Sequence, residues 1–298
     1  MSRICHGRPN LSSKPQDLNH LSVLGCFAHP DDEGFGSGGS FAMFTSRGAQ
    51  VTLVCATNGD VGEISDPSLA TPDTLHEVRQ EELREAMKVT GVHDVRFLGY
   101  RDSGMAGTTD NNHPSSLYQA PTDQVAARIV EVIREVRPDV VITHGTTGGY
   151  GHPDHLAVHR GTTEAFKAAG DANFSGPDTS REQQVWVPSF LYYVCFPRRN
   201  FRKMWQTMID LNIEPPFASL EVDTIGSPDE AVTTTIDVTP YVEIKTNSLA
   251  RHRPQMDPNG AFAKLPNDLM NEMMSTEYFT LAVSQSDQPG FDLIASLR

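Results

Sequence analysis

Two short runs carry side chains able to do chemistry: His29-Pro30-Asp31-Asp32-Glu33 and His152-Pro153-Asp154-His155. Each follows an apolar stretch and supplies imidazoles and carboxylates three residues apart. Residues at i and i+3 on the turn that opens a helix share a face, so His29 with Asp32, joined by His155, could converge on one metal ion. Two histidines and one carboxylate leave a coordination position open for water, the pattern of hydrolytic rather than structural zinc. Asp31 and His152 would then stand unligated beside that water. The ordinary alternative is a pair of helix starts, with aspartates capping and prolines at the first helical position. It accounts for one run, and less well for two in matching strand-to-helix contexts.

The flanking pattern supplies the elements that must position them. Leu21 to Ala28 and Val51 to Thr57 are apolar runs without polar alternation, separated by a glycine-rich segment from Gly34 to Gly48, and read as parallel strands joined by a crossover helix. A helix from Leu75 to Thr90 ending at Gly91, a strand from Val95 to Leu98, a helix from Thr122 to Val136 stopped by Pro138, and a strand from Asp139 to Thr143 continue the alternation. Leu156 to Ala169 is helical in pattern and Gly170 ends it. Such βα units predict an α/β fold: a Rossmann-like, doubly wound, mostly parallel sheet with helices on both faces and an irregular C-terminal elaboration. Ligands in such sheets lie outside the carboxyl ends of the strands, where both runs fall. Asp171 to Gln184 reads as a surface connection, and Trp186 to Cys195 and Ala231 to Val238 as strands extending the sheet or forming its edge. We expect a loose arm over residues 1–20 and one domain over 21–298.

The balance of 38 acidic to 24 basic residues gives a formal charge of -14, with no basic block, so nucleic acid and anionic membrane are excluded as natural partners. Four scattered cysteines form no disulfide framework, and no segment is long and apolar enough for a leader or a membrane span, which points to the cytoplasm. Cys5-His6 in the polar arm reads as solvated. Nothing in the composition decides for or against a homo-oligomer.

Phe27-Ala-His-Pro-Asp-Asp-Glu-Gly-Phe-Gly-Ser-Gly-Gly39, Arg101-Asp-Ser-Gly-Met-Ala-Gly-Thr108 and Gly148-Gly-Tyr-Gly-His-Pro-Asp-His155 resemble the LmbE/PIG-L family of zinc-dependent N-deacetylases, and within it the mycothiol-pathway deacetylase and amidase group. The resemblance spans roughly residues 22–169 and returns over Lys245 to Gln255. It implies His29, Asp32 and His155 as ligands of one zinc ion per chain, the set the spacing suggests, and Asp31 as general base and acid. It also implies a mobile Tyr150 that donates to the transition state, and an Arg79 that helps hold a sugar. Iron or another divalent ion is equally compatible with nitrogen and oxygen ligands.

An amide passing through a tetrahedral oxyanion needs donors where charge develops, and Tyr150 and His152 precede His155 directly. A protonated His152 could also assist departure of the amine. Asp154 could orient His152 or cap the helix. Gly148, Gly149 and Gly151 permit motion of Tyr150, or simply a tight turn. Glu33 could support a ligand or merely favour the helix dipole. Arg79 sits among Glu77, Glu81, Glu82 and Arg84, where an ordinary surface ion pair is the alternative to sugar binding. Asp102 could accept sugar hydroxyls at the crevice mouth or form an Asx turn. His252 and Gln255 resemble the family's late H-x-x-Q element, with Arg253-Pro254 inside it. Of His20, His76, His93, His113, His144 and His159, taken as surface or core, only His144 stands out, next to the fourth strand's end. The expectation is a hydrolase that removes an N-acyl, in particular N-acetyl, group from an amino sugar or N-acetylglucosamine-type conjugate. An amidase acting on a thiol conjugate is the alternative. A dinucleotide-binding module is disfavoured because the first βα turn has acids before its glycines and no G-x-G-x-x-G.

Overall fold

The computed structural model describes residues 16–174, 184–216, 221–285 and 292–296. The N-terminal half follows the predicted alternation: β1 (Ser22–Phe27), α1 (Asp32–Ser46), β2 (Gln50–Thr57), α2 (Leu75–Thr90), β3 (Asp94–Tyr100), α3 (Thr122–Val136), β4 (Val140–His144), a short turn α4 (Gly148–Gly151) and α5 (Pro153–Ala168). The remainder adds β5 (Phe190–Cys195), α6 (Arg198–Asp210), β6 (Thr234–Asp237), α7 (Val242–Leu249), α8 (Asn267–Met274), β7 (Thr276–Ser284) and α9 (Leu293–Ser296).

One seven-stranded sheet runs β3-β2-β1-β4-β5-β7-β6. The first five strands in that order are parallel, and β7 pairs antiparallel with both β5 and β6. The order reverses between β1 and β4, so the crevice that such folds use for ligands opens at the carboxyl ends of these two strands. Strand β1 shows why its sequence lacks polar alternation. Val23 and Phe27 face a core built with Phe41, Phe44, Leu83 and Met87 of α1 and α2. Leu24 and Cys26 face the opposite core, with Val125, Ile129, Val158 and Phe166 of α3 and α5. A strand covered on both faces has no solvent side to be polar.

The glycines of α1 serve close approach. A Cβ at Gly34 would lie 2.4 Å from Leu249 Cδ2, and one at Gly36 would lie 2.2 Å from Val194 Cγ1. The helix thus nests between β5 and α7, which draws the C-terminal part of the chain up to the first run. The expected arm ends earlier than Leu21: Leu18 is buried, its N–H donating to Arg47 O at 2.7 Å. Residues 1–15, including Cys5-His6, and most of the expected 171–184 connection lie outside the described residues. Among the described residues, no helix is long and apolar enough to cross a membrane.

Candidate metal centre

Both runs open helices, yet none of their three aspartates makes a side-chain cap: Asp31 stands at the N-cap of α1 without a capping hydrogen bond. In the second run His152 is the N-cap, its Nδ1 accepting the Asp154 N–H at 3.2 Å, with Pro153 following in the first turn. The Asp154 carboxylate, fully buried, instead accepts both the N–H (2.9 Å) and the hydroxyl of Ser103, and lies 3.1 Å from His29 Nε2. Of the two roles expected for Asp154, neither is what its carboxylate does. It fixes the ring of His29.

That contact sets a tautomer. A carboxylate only accepts, so Asp154 holds a His29 proton on Nε2 and leaves Nδ1, which faces Asp32, as the nitrogen that would ligate an ion. His155 is oriented the same way from the other side: its Nδ1 lies 3.0 Å from Gly148 O, which also only accepts, and Nε2 is the nitrogen turned toward Asp32. These two inward-facing nitrogens are 3.3 Å apart. His29 Nδ1 is 3.2 Å from Asp32 Oδ2, and His155 Nε2 is 3.1 Å from Asp32 Oδ1. A tetrahedral ion with bonds of about 2.0–2.2 Å holds its donors roughly 3.3–3.6 Å apart; the two nitrogens meet that spacing, and Asp32 turns one carboxylate oxygen toward each of them.

His144 and His152 also fall in groups of side chains that could hold a metal ion. Their nitrogens argue against it. His144 Nε2 accepts the Ala28 N–H at 3.0 Å, which uses its lone pair. Its ring stacks on His155 with centroids 4.1 Å apart, 3.5 Å from Asp32 Oδ2, and so forms the floor of the centre. His152 Nδ1 is used by the cap, which leaves Nε2 as a donor N–H.

Charge states follow from the same contacts. Burial would lower the His29 value, but Asp102, Asp154 and Asp32 outweigh it and hold it well above the usual imidazole range, so an ion ligated at Nδ1 would take the place of a proton there. Asp32 lies well below the usual carboxylate range, because His155 and His144 outweigh its burial. Burial, with His29 and His155 nearby, pushes His152 far down, so this ring is neutral at pH 7. The expected role of a protonated His152 as acid to the amine does not fit that state; a neutral Nε2–H donor does. Burial raises Asp31 to about 6, against the pull of Arg79.

Arg79 and Asp102, expected at a crevice mouth, are both buried. Arg79 Nη2 donates to Pro30 O at 2.7 Å and to Asp31 Oδ2 at 3.2 Å, and Nη1 donates to Gly59 O at 3.1 Å. Asp102 accepts the Gly104 N–H at 2.8 Å, an Asx turn, and stands 3.5 Å from His29 Nε2. His29 outweighs its burial and lowers its value. Tyr150 sits on a turn whose glycines all have positive φ (Gly148 60°, Gly149 73°, Gly151 84°), which only glycine adopts freely. Its ring lies 5.3 Å from that of His155 and packs against the Met204, Trp205 and Met208 cluster of α6.

A fold with a switch-point crevice, and in it two histidines and a carboxylate around one point with a further carboxylate, Asp31, alongside, defines a hydrolase of the metal-dependent α/β class. The family model for PIG-L, the GlcNAc-PI de-N-acetylase, matches residues 24–166. A 1D-myo-inositol 2-acetamido-2-deoxy-alpha-D-glucopyranoside deacetylase from Geodermatophilus obscurus is 40% identical, covering 85% of this chain and 89% of its own. One from Thermobifida fusca is 38% identical, covering 92% and 97%. The chain therefore belongs to the PIG-L/LmbE family. Among solved structures, the N,N'-diacetylchitobiose deacetylase of Pyrococcus horikoshii superposes with a TM-score of 0.64 at 22% identity, over 92% of this chain and 88% of that one. The 4-carboxy-2-hydroxymuconate hydratase GalB of Pseudomonas putida reaches 0.56 at 17% identity, over 92% and 99%. The fold alone thus serves more than one chemistry.

Proposed function

We propose that the chain is a zinc-dependent N-deacetylase acting on an N-acetylglucosamine conjugate of the inositol type that its relatives are named for. The observation that carries this is the triangle of His29 Nδ1, Asp32 and His155 Nε2 with Asp31 adjacent and unligated. Those three residues would hold the ion. When bound, zinc supplies a water whose pKa falls from about 15.7 toward about 7 and polarises the amide carbonyl. Asp31 accepts the water's proton and returns it to the departing amine, a double duty suited to a carboxylate raised toward neutrality. The neutral His152 donates its Nε2–H to the carbonyl oxygen as charge develops there, and Tyr150 is the second donor. Asp154 acts through His29. Asp102 is the proposed acceptor for sugar hydroxyls, and Arg79 reaches the same place from behind Asp31. A reducing, cytoplasmic setting completes the proposal, and the buried free thiols of Cys26, Cys55 and Cys195 suit it.

The test compares amine release from N-acetylglucosaminyl-inositol with that from simple N-acetyl alkylamines. A strong preference for the sugar, narrowed by Asp102→Ala without loss of metal, is the expected result. Equal rates on both, unchanged by the substitution, would refute the sugar assignment.

A further inference from the structure

The base and the metal ligands leave a buried pair without a role: Glu33 and His252, distant in sequence and each 1% exposed. His252 Nε2 donates to Glu33 Oε1 at 3.0 Å. The other oxygen, Oε2, accepts the backbone N–H of Asp31 at 3.0 Å. That N–H belongs to the peptide group whose oxygen, on Pro30, accepts Arg79 Nη2 at 2.7 Å. One peptide plane is therefore gripped at both ends. The grip matters because Asp31 has φ 124° and ψ -27°. Among the described residues the other non-glycine positive-φ positions, Arg137 at 49° and Asn212 at 56°, lie in or beside the ordinary left-handed region. Asp31 lies far from it, in backbone that persists only where the surroundings impose it. Since φ is the rotation between that plane and α1, which begins at the next residue, holding the plane against the helix sets φ and with it the direction of the Asp31 side chain.

His252 is itself pinned from several sides. Arg253 Nε donates to Glu82 Oε1 at 2.8 Å, Ser65 N–H to Pro254 O at 3.0 Å, and Gln255 Nε2 to Glu63 O at 2.5 Å. The turn after α7 thus clasps α1, α2 and the loop after β2 together over Arg79. We infer that His252 is a positioning residue for the base: through Glu33 it fixes the Pro30–Asp31 peptide and so aims the Asp31 carboxylate. This deepens the proposed function and rests on it. The competing account is that Glu33 merely favours the helix dipole and His252 merely tacks down a turn. That account predicts lost stability with unchanged turnover.

The full chain decides it with three variants. His252→Leu removes the donor, His252→Gln keeps an N–H near the same place, and Glu33→Asp keeps a first-turn acid but shortens its reach to Asp31. With metal bound, His252→Leu should lower kcat at least tenfold while KM stays within twofold and metal content is unchanged. His252→Gln should recover most of kcat, and Glu33→Asp should show the same kcat-against-KM split, which serves if His252→Leu does not fold. In the metal-free chain without substrate, amide hydrogen exchange over residues 29–34 should quicken in His252→Leu and return in His252→Gln. A kcat within twofold of wild type for both His252→Leu and Glu33→Asp, or exchange over 29–34 that does not change, overturns the inference. A wild-type chain that hydrolyses no amide would remove the proposed function while the exchange arm still decides the clasp.

Discussion

Replacing Asp154 by Asn tests the tautomer that orients the metal centre. The substitution keeps the shape of a fully buried side chain, and the amide oxygen can still accept the Ser103 N–H and the His29 Nε2–H. What it removes is the negative charge. A hydrogen bond to a charged group contributes about 1.5–3 kcal/mol, against about 0.5–1.5 for a neutral one, so the loss at His29 is roughly 1–1.5 kcal/mol. Loss of an outer partner of a metal-binding histidine typically costs 10–100-fold in affinity, about 1.4–2.8 kcal/mol. The two ranges meet near tenfold. Competition against a chelator of known affinity should therefore show zinc binding weakened about tenfold in Asp154→Asn, with the folded chain otherwise intact. Asp102→Asn is the control: at 3.5 Å from His29 Nε2, it is too distant for a good hydrogen bond and should change affinity less. Unchanged affinity in both variants would refute the assignment of His29 Nδ1 as the ligating nitrogen, and a larger loss in Asp102→Asn would make Asp102 rather than Asp154 the residue that orients the ring.

Asp31→Asn should keep the metal and lose roughly 10²–10⁴-fold in turnover, because an amide cannot take the water's proton; near-wild-type rates with metal verified would remove Asp31 from the mechanism. Lys245 and Glu277 form a buried ion pair at 2.8 Å, and Glu277 also accepts the N–H groups of Gly39 and Ser40. Lys245→Met should cost about 3–5 kcal/mol in denaturant unfolding, with part of it regained in Lys245→Met/Glu277→Gln, whose amide oxygen can still accept those N–H groups; a single-variant cost below about 1 kcal/mol would contradict this. His252 is held above its ordinary value of 6.5, because Glu33 outweighs the effect of burial. A raised imidazole adds stability that is complete below its unfolded value and lost as pH rises through the folded one. The stability gap between wild type and His252→Leu should therefore narrow as pH rises through that window, and a constant gap would contradict it.

Local patterns carried much of this molecule. The both-face burial of β1 appears as an uninterrupted apolar run, and the conformation of the Gly148–Gly151 turn appears as its glycines. That His29, Asp32 and His155 lie together was legible because each run keeps its donors close in sequence. What stayed hidden depends on partners brought together only by folding. His144 reads as one more core histidine until β4 lies beside β1 and its ring meets the Ala28 N–H. Ser103 looks like an ordinary loop residue until it meets Asp154. Strand β7 has a usable signal in Thr-Glu-Tyr-Phe-Thr-Leu-Ala-Val-Ser, yet its insertion between β5 and β6, antiparallel to both, is a long-range choice. Arg79 is the clearest case, since a helix crowded with charges suggests solvent, while its guanidinium turns inward to the buried carbonyls of Pro30 and Gly59.

The central claim is that one ion, held by His29, Asp32 and His155, turns this crevice into a deacetylase. The most direct measurement titrates zinc into the metal-free chain while following acetate release from N-acetylglucosaminyl-inositol. Activity should rise linearly and break at one equivalent, and His155→Ala should neither hold the ion tightly nor turn over. Full activity without metal, or a His155→Ala variant that binds zinc and works as wild type does, would contradict it.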